Sequence, residues 1–114
     1  MADYLVLTLD VADLDAQTAF WTAALGYKVD GGVAQYRALV DEAGKGPKLL
    51  LQQVDESKSA KNRLHLDLHV GDVEVEAARI EALGATRVER VDEFGFFWIV
   101  MNDPEGNEFC IVPS

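Results

Sequence analysis

The feature that most restricts the fold is a signature that occurs twice. Val11-Ala12-Asp13-Leu14 is answered by Val70-Gly71-Asp72-Val73 at an offset of 59, and Ala24-Leu25-Gly26 by Ala82-Leu83-Gly84 at an offset of 58. In each copy the aspartate stands where it can cap a helix and the glycine where it can end one, so both anchors bracket the same element. Alternating segments surround each helix in the same order. In the first copy, residues 4–11 alternate as a strand, and Ala16, Ala19, Phe20, Ala23 and Ala24 recur at helical spacing until Gly26. Tyr27 begins an extended segment, Asp30-Gly31-Gly32 reads as a hairpin turn, and residues 33–41 and 48–54 read as strands. In the second copy a strand over 63–70 leads to a helix with Val73, Ala77, Ile80 and Leu83 facing inward and Gly84 ending it. Strands follow at 85–91, 94–101 and 108–112, with turns at Asp92-Glu93 and at 102–107. The expected fold is α+β, two βαβββ units over residues 4–54 and 64–112, joined by a uniformly polar linker at 55–62.

A chain of 114 residues fits one domain with an independent core, and 1–114 is read as such. Twenty acidic against ten basic side chains give a net charge of -10, which disfavours a nucleic-acid backbone or an anionic membrane as partner. One cysteine forms no internal disulfide, and Met-Ala-Asp-Tyr carries neither a basic leader nor a long apolar run. A reducing cytoplasm is therefore the expected location.

Chemistry concentrates in Arg63-Leu64-His65-Leu66-Asp67-Leu68-His69-Val70, which holds both histidines. Leu64, Leu66, Leu68 and Val70 share one face, and His65, Asp67 and His69 the other. His65 reads either as an acid-base group or ligand, or as a hydrogen-bonded member of a polar surface. His69, beside the helix cap, reads as structural or solvated. Cys110 reads as a small buried hydrophobe or as a reactive group, and Tyr36 and Trp98 as stacking platforms or as filling for the sheets.

The doubled unit, with Phe20-Trp21-Thr22-Ala23-Ala24-Leu25-Gly26-Tyr27 at the first helix and Asp103-Pro104-Glu105-Gly106-Asn107-Glu108-Phe109 before the last strand, resembles the vicinal oxygen chelate superfamily. Within it the chain looks most like the glyoxalase-like, bleomycin-resistance and extradiol-dioxygenase group. The resemblance covers residues 4–112 and implies curved mixed sheets around a ligand cleft. A dimeric ferredoxin-like barrel with four strands per chain is the rival fold.

In metal-using relatives each unit supplies one ligand from its first strand and one from its last. Carried over by motif, the first-strand positions are Val6 and His65, seven residues before Asp13 and Asp72; the last-strand position is Cys110, three residues after Asn107. The repeat at offset 58 pairs Cys110 with Gln52. The tetrad Val6, Gln52, His65, Cys110 keeps one conventional ligand, and a divalent metal would have His65, Gln52 and Cys110 for its donors. The resemblance implies a small organic ligand touching Tyr36, Gln52, His65, Asp67, Trp98 and Cys110, and a homodimer. It leaves three activities open: a glyoxalase-like binding protein that has largely lost its metal tetrad, a metal-dependent lyase, isomerase or dioxygenase, or a bleomycin-type resistance protein. His65 is the candidate catalytic residue.

Overall fold

A computed structural model describes residues 1–114, which form two compact units, Met1–Ser57 and Lys58–Ser114. The first contains β1 (Val6–Val11), α1 (Leu14–Leu25), β2 (Lys28–Val33), β3 (Tyr36–Val40) and β4 (Lys48–Gln53). The second contains β5 (Leu66–Val70), α2 (Val73–Ala82), β6 (Thr86–Glu93), β7 (Phe96–Asn102) and β8 (Glu108–Pro113). Each unit is a four-stranded mixed sheet, ordered β1-β4-β3-β2 and β5-β8-β7-β6, with only the first-to-last pairing parallel. Eight strands in one chain exclude the four-stranded rival.

Both expected caps form. The Asp13 carboxylate accepts from the Ala16 amide and the Asp72 carboxylate from the Val75 amide, each supplying a partner for a first-turn donor the helix leaves open. Gly26 ends α1 at φ 71, a left-handed conformation that glycine adopts without steric cost. In α2 the ending differs from expectation, since Leu83 is the cap and Gly84 follows it.

The helices cover one face of each sheet. Leu39, Leu49, Leu51 and Val11 are buried in the first unit together with Leu14, Phe20, Trp21 and Ala24. Of the five apolar positions the spacing suggests for the inner side of α1, Phe20 and Ala24 are buried but Ala16, Ala19 and Ala23 are exposed, while Gln17, Thr18 and Trp21 face inward. A helix supplying one large indole to the sheet rotates to bury it in preference to methyl groups, because buried apolar area scales with side-chain size. In the second unit Ile99, Met101, Phe109 and Ile111 are buried with Val73, Ala77 and Ile80. Leu83, expected inside, is 39% exposed.

The hairpin turns stand elsewhere than the composition indicated. Gly31 and Gly32 do not turn the chain; they lie within β2, where the ladder to β3 shifts register between Val29 and Gly32. The turn is Ala34-Gln35, with Ala34 at φ 54. In the second unit Asp92 and Glu93 belong to β6, and Phe94-Gly95 turns with φ 57 and φ 81. In this second turn positive φ at both central residues matches the twist of paired strands.

Candidate functional site

Register partners in a sheet share a face, so the ladders fix which side chains stand together. Asp67 pairs with Cys110, and Cys110 with Val100. This row lies on the face opposite α2, because the intervening Phe109, Ile111, Ile99 and Met101 are the residues buried with the helix. The next row on that face carries His69, paired with Val112. Trp98, two residues before Val100, extends the face along β7 and packs against Phe96 at 5.7 Å between ring centroids. Phe94 lies 6.5 Å beyond Phe96 and is 84% exposed.

His65 stands just before β5 rather than within it; the strand expected over 63–70 begins at Leu66. Its Nε2 nevertheless lies 3.3 Å from Asp67 Oδ1. One donor atom from each of His65, Asp67 and Cys110 lies within 4.8 Å of the others. Burial pushes the Cys110 thiol up to about 11, and the adjacent Asp67 carboxylate adds to this by its charge and by accepting the thiol hydrogen. With no bound cation the sulfur therefore carries its proton at neutral pH and is a weak nucleophile. His69 stands apart from this cluster in what it contacts. Its Nδ1 is 3.2 Å from the Pro113 carbonyl oxygen, which ties β5 to the end of β8.

Glu108, two residues before Cys110 on β8, organises the linker instead of the cluster. Its carboxylate accepts from the Asn62 amide at 2.9 Å and pairs with Lys58 Nζ at 3.0 Å, both partners of this ion pair being under 20% exposed. Burial works to raise its pKa, but the Asn62 amide and the Lys58 ammonium outweigh burial and hold it below the ordinary value. The Asp103-Pro104-Glu105-Gly106-Asn107 turn is likewise structural. Asp103 accepts from the Glu105 and Asn107 amides and from Asn107 Nδ2, each at 2.9 Å.

In the first unit, Tyr36 pairs with Gln52 and Gln52 with Asp10, forming a polar row on the face away from α1. The ladders correct one sequence correspondence. Thr8 pairs with Leu50 as Asp67 pairs with Cys110, so the structural counterpart of Cys110 is Leu50, and that of Gln52 is Val112. The offset of 58 at the helix end does not persist: β6 and β7 are each two residues longer than β2 and β3. The connection from β7 to β8 is in turn shorter than that from β3 to β4, which brings the final offset to 60. The member of the cluster that motif transfer passed over as a metal ligand is Asp67. Its signal was present in sequence as the next residue on the His65 face, and the parallel β5/β8 register makes it the neighbour of Cys110.

As a donor set, an imidazole nitrogen, a carboxylate oxygen and a sulfur fit a borderline divalent metal such as zinc, for which three protein ligands and an open position are usual. The set lacks the oxygen-rich character that hard metals require.

Two units of this order, each a four-stranded mixed sheet with one helix, match the glyoxalase/bleomycin-resistance class of fold. Solved structures agree over 96–100% of the chain. FosX, the fosfomycin resistance protein of Listeria monocytogenes, in its E126Q form with Mn(II) and 1S,2S-dihydroxypropylphosphonic acid, matches with a TM-score of 0.83 at 18% identity, covering 100% of this chain and 92% of that one. A glyoxalase/bleomycin resistance protein/dioxygenase family enzyme from Burkholderia phytofirmans gives a TM-score of 0.80 at 20% identity over 96% and 97% of the two chains. The bleomycin-binding protein of Streptomyces verticillus, complexed with copper(II)-bleomycin, gives 0.68 at 18% identity over 100% and 99%. No curated protein matches in sequence. A family model described as a glyoxalase-like domain matches residues 6–112. The chain belongs to that glyoxalase-like family, and with it to the vicinal oxygen chelate superfamily.

Proposed function

We propose that this protein binds a small organic molecule on the helix-free face of the second sheet, with Trp98 and Phe96 as an aromatic platform and His65, Asp67 and Cys110 as the polar end. The observation that carries the reading is the presence of both features on one face: Phe96 remains 45% exposed beside a half-buried Trp98, and the polar cluster lies across the same strands. A flat ligand with one polar group suits such a surface, since aromatic stacking supplies area and a few placed polar atoms supply orientation. Tyr36 and Gln52 offer a corresponding aromatic-polar pair in the first unit. From the family resemblance the reading extends to a homodimer, and from the single cysteine to a reducing compartment.

The test is fluorescence of Trp98 with a panel of planar aromatic amines and bleomycin. Trp21, 1% exposed, supplies a constant background. Saturable quenching that disappears in Trp98→Phe supports the reading. If no member of the panel binds with a Kd below about 1 mM, the reading is wrong.

A second reading, a metal-dependent enzyme of the same superfamily with His65 as a ligand, is favoured by one observation, the convergence of the three ligand-type side chains His65, Asp67 and Cys110.

A further inference from the structure

We infer that the β6/β7 hairpin binds a planar organic cation, a guanidinium or amidinium group, on the Phe94 and Phe96 rings beside the Glu93 carboxylate. The cation is a substituent of the flat ligand proposed above, and its assignment rests on that reading. The hairpin carries its own template on the opposite face. There Asp92 and Phe97 are register partners. Arg90 lies over the Phe97 ring, its Cζ 3.7 Å from the centroid, and its Nε and one terminal nitrogen donate to the two Asp92 carboxylate oxygens at 3.0 and 3.2 Å. The ring attracts the delocalised charge, and the carboxylate fixes its orientation through paired hydrogen bonds. One residue along, on the face without the helix, Glu93 and Phe96 are register partners in the same relation. The acid and the ring are repeated, and the cation is not.

The strands supply no cation to that face. Arg87 pairs with Met101 and Arg90 with Ile99, both buried with α2, so the two arginines of β6 stand on the helix side. The open side of β6 presents Glu89, Val91 and Glu93, and neither glutamate forms an ion pair. The other end of the face differs, because the linker brings positive charge to it: Lys58 pairs with Glu108, and the Lys61 charge acts on Cys110. A ligand with one positive group therefore directs it to the hairpin tip.

Phe94 is the residue that neither packing nor turn geometry explains. It is 84% exposed, and at φ 57 it occupies the first position of a two-residue turn where asparagine or aspartate before glycine is the usual choice. Its ring lies 6.5 Å from Phe96, which lies 5.7 Å from Trp98, so three rings form a row from the hairpin tip into the sheet. A flat group on Trp98 carries its substituent over Phe96 and Phe94, beside Glu93.

The test is calorimetric titration with 2-naphthamidine and its neutral isostere 2-naphthamide. Wild type should bind the amidine about tenfold more tightly than the amide. Glu93→Gln should remove that advantage and leave the amide affinity unchanged. Phe94→Asn should weaken amidine binding severalfold and raise the melting temperature, since asparagine suits the turn; a residue kept for structure alone would not separate the two readouts. The cation site is overturned if the amidine and the amide bind equally, if Glu93→Gln keeps the preference, or if Phe94→Asn binds the amidine as wild type does. Equal, saturable binding of both probes leaves the flat-ligand reading standing while the cation falls. Binding of neither probe overturns both.

Discussion

At the scale of single residues, two glycines make opposite demands. A Cβ on Gly32 would collide with the Tyr36 carbonyl oxygen and stand 3.2 Å from the Arg37 Cα, both backbone atoms that cannot swing aside. Gly71 meets nothing within 4 Å and is not held at positive φ. Gly32→Ala should therefore lower stability by about 1–3 kcal/mol, the usual cost of forcing extra volume into a packed site, while Gly71→Ala should change it by less than about 0.5 kcal/mol. Urea midpoints of the two variants check the contrast. Asp41 makes a different prediction. Its carboxylate accepts from the amides of Ala43, Gly46 and Lys45, and these bonds, with the Lys45 charge, hold its pKa below the ordinary value. A depressed folded-state pKa means stability that is present above the unfolded value and lost as pH falls through the folded one. The stability gap between wild type and Asp41→Asn should be constant near neutrality and narrow below about pH 4; a gap that widens on acidification would refute the assignment. Nothing in the composition of residues 42–47 marked Asp41 as their organiser, because backbone donors carry no sequence signature. The site was more legible. His65, Asp67 and Cys110 were all singled out from alternation and motif, but that Asp67 abuts Cys110 depends on a parallel register that local patterns do not encode.

At the scale of elements, the linker is less free than its composition suggests. Uniform polarity and absent periodicity at 55–62 describe a connection, yet its second half is fastened to β8. Lys58 Nζ reaches Glu108 and the Ala60 carbonyl oxygen, and Asn62 bonds Glu108 and Asn107. Because Glu108 is the common acceptor, Glu108→Gln should release residues 58–62 more than Lys58→Met does, the amide being a weaker acceptor for the Asn62 N–H. Hydrogen exchange at the Asn62 amide is the measurement: protection should fall strongly in the first variant and less in the second. Equal protection in wild type and Glu108→Gln would show that the strap is held by something else. The helices and the order of elements along the chain were legible because caps and periodicity are local, whereas the order of strands within each sheet, β1-β4-β3-β2 and β5-β8-β7-β6, was not. The two hairpin turns were not, and for a shared reason. Asp30-Gly31-Gly32 and Asp92-Glu93 have turn-type residues, but the strands run on past them to Ala34-Gln35 and Phe94-Gly95, and the first glycine pair serves a register shift instead. Glycine marks backbone freedom without saying whether a bulge or a turn uses it. Gly95 offered the correct signal in the second hairpin, masked by the apolar Phe94 before it.

At the scale of the whole molecule, charge sets the terms. Nine acidic against four basic side chains in the first unit, and eleven against six in the second, leave each at -5. Excess charge of one sign opposes compaction, and added salt relieves it over a Debye length of about 10 Å at 0.1 M. Salt also weakens attractive pairs, so the sign of the net effect depends on which population is larger. The attractive pairs include Arg87 with Glu74 and Glu81, Arg90 with Asp92, Arg79 with Glu76, Arg37 with Asp15 and Lys28 with Glu42, all with at least one well-exposed partner. Such pairs are worth roughly 0–1 kcal/mol each. Lys58 and Glu108 are shielded, and their attraction resists screening. What remains is ten uncompensated negative charges, five in each unit, whose repulsion is long-ranged and therefore the first interaction to be screened. The melting temperature should accordingly rise, by a few degrees, between about 10 mM and 200 mM NaCl. Sodium chloride and sodium fluoride should act alike if screening is the cause. A melting temperature that falls with salt would mean that the arginine pairs on α2 and β6 contribute more to the folded state than the excess of acid removes.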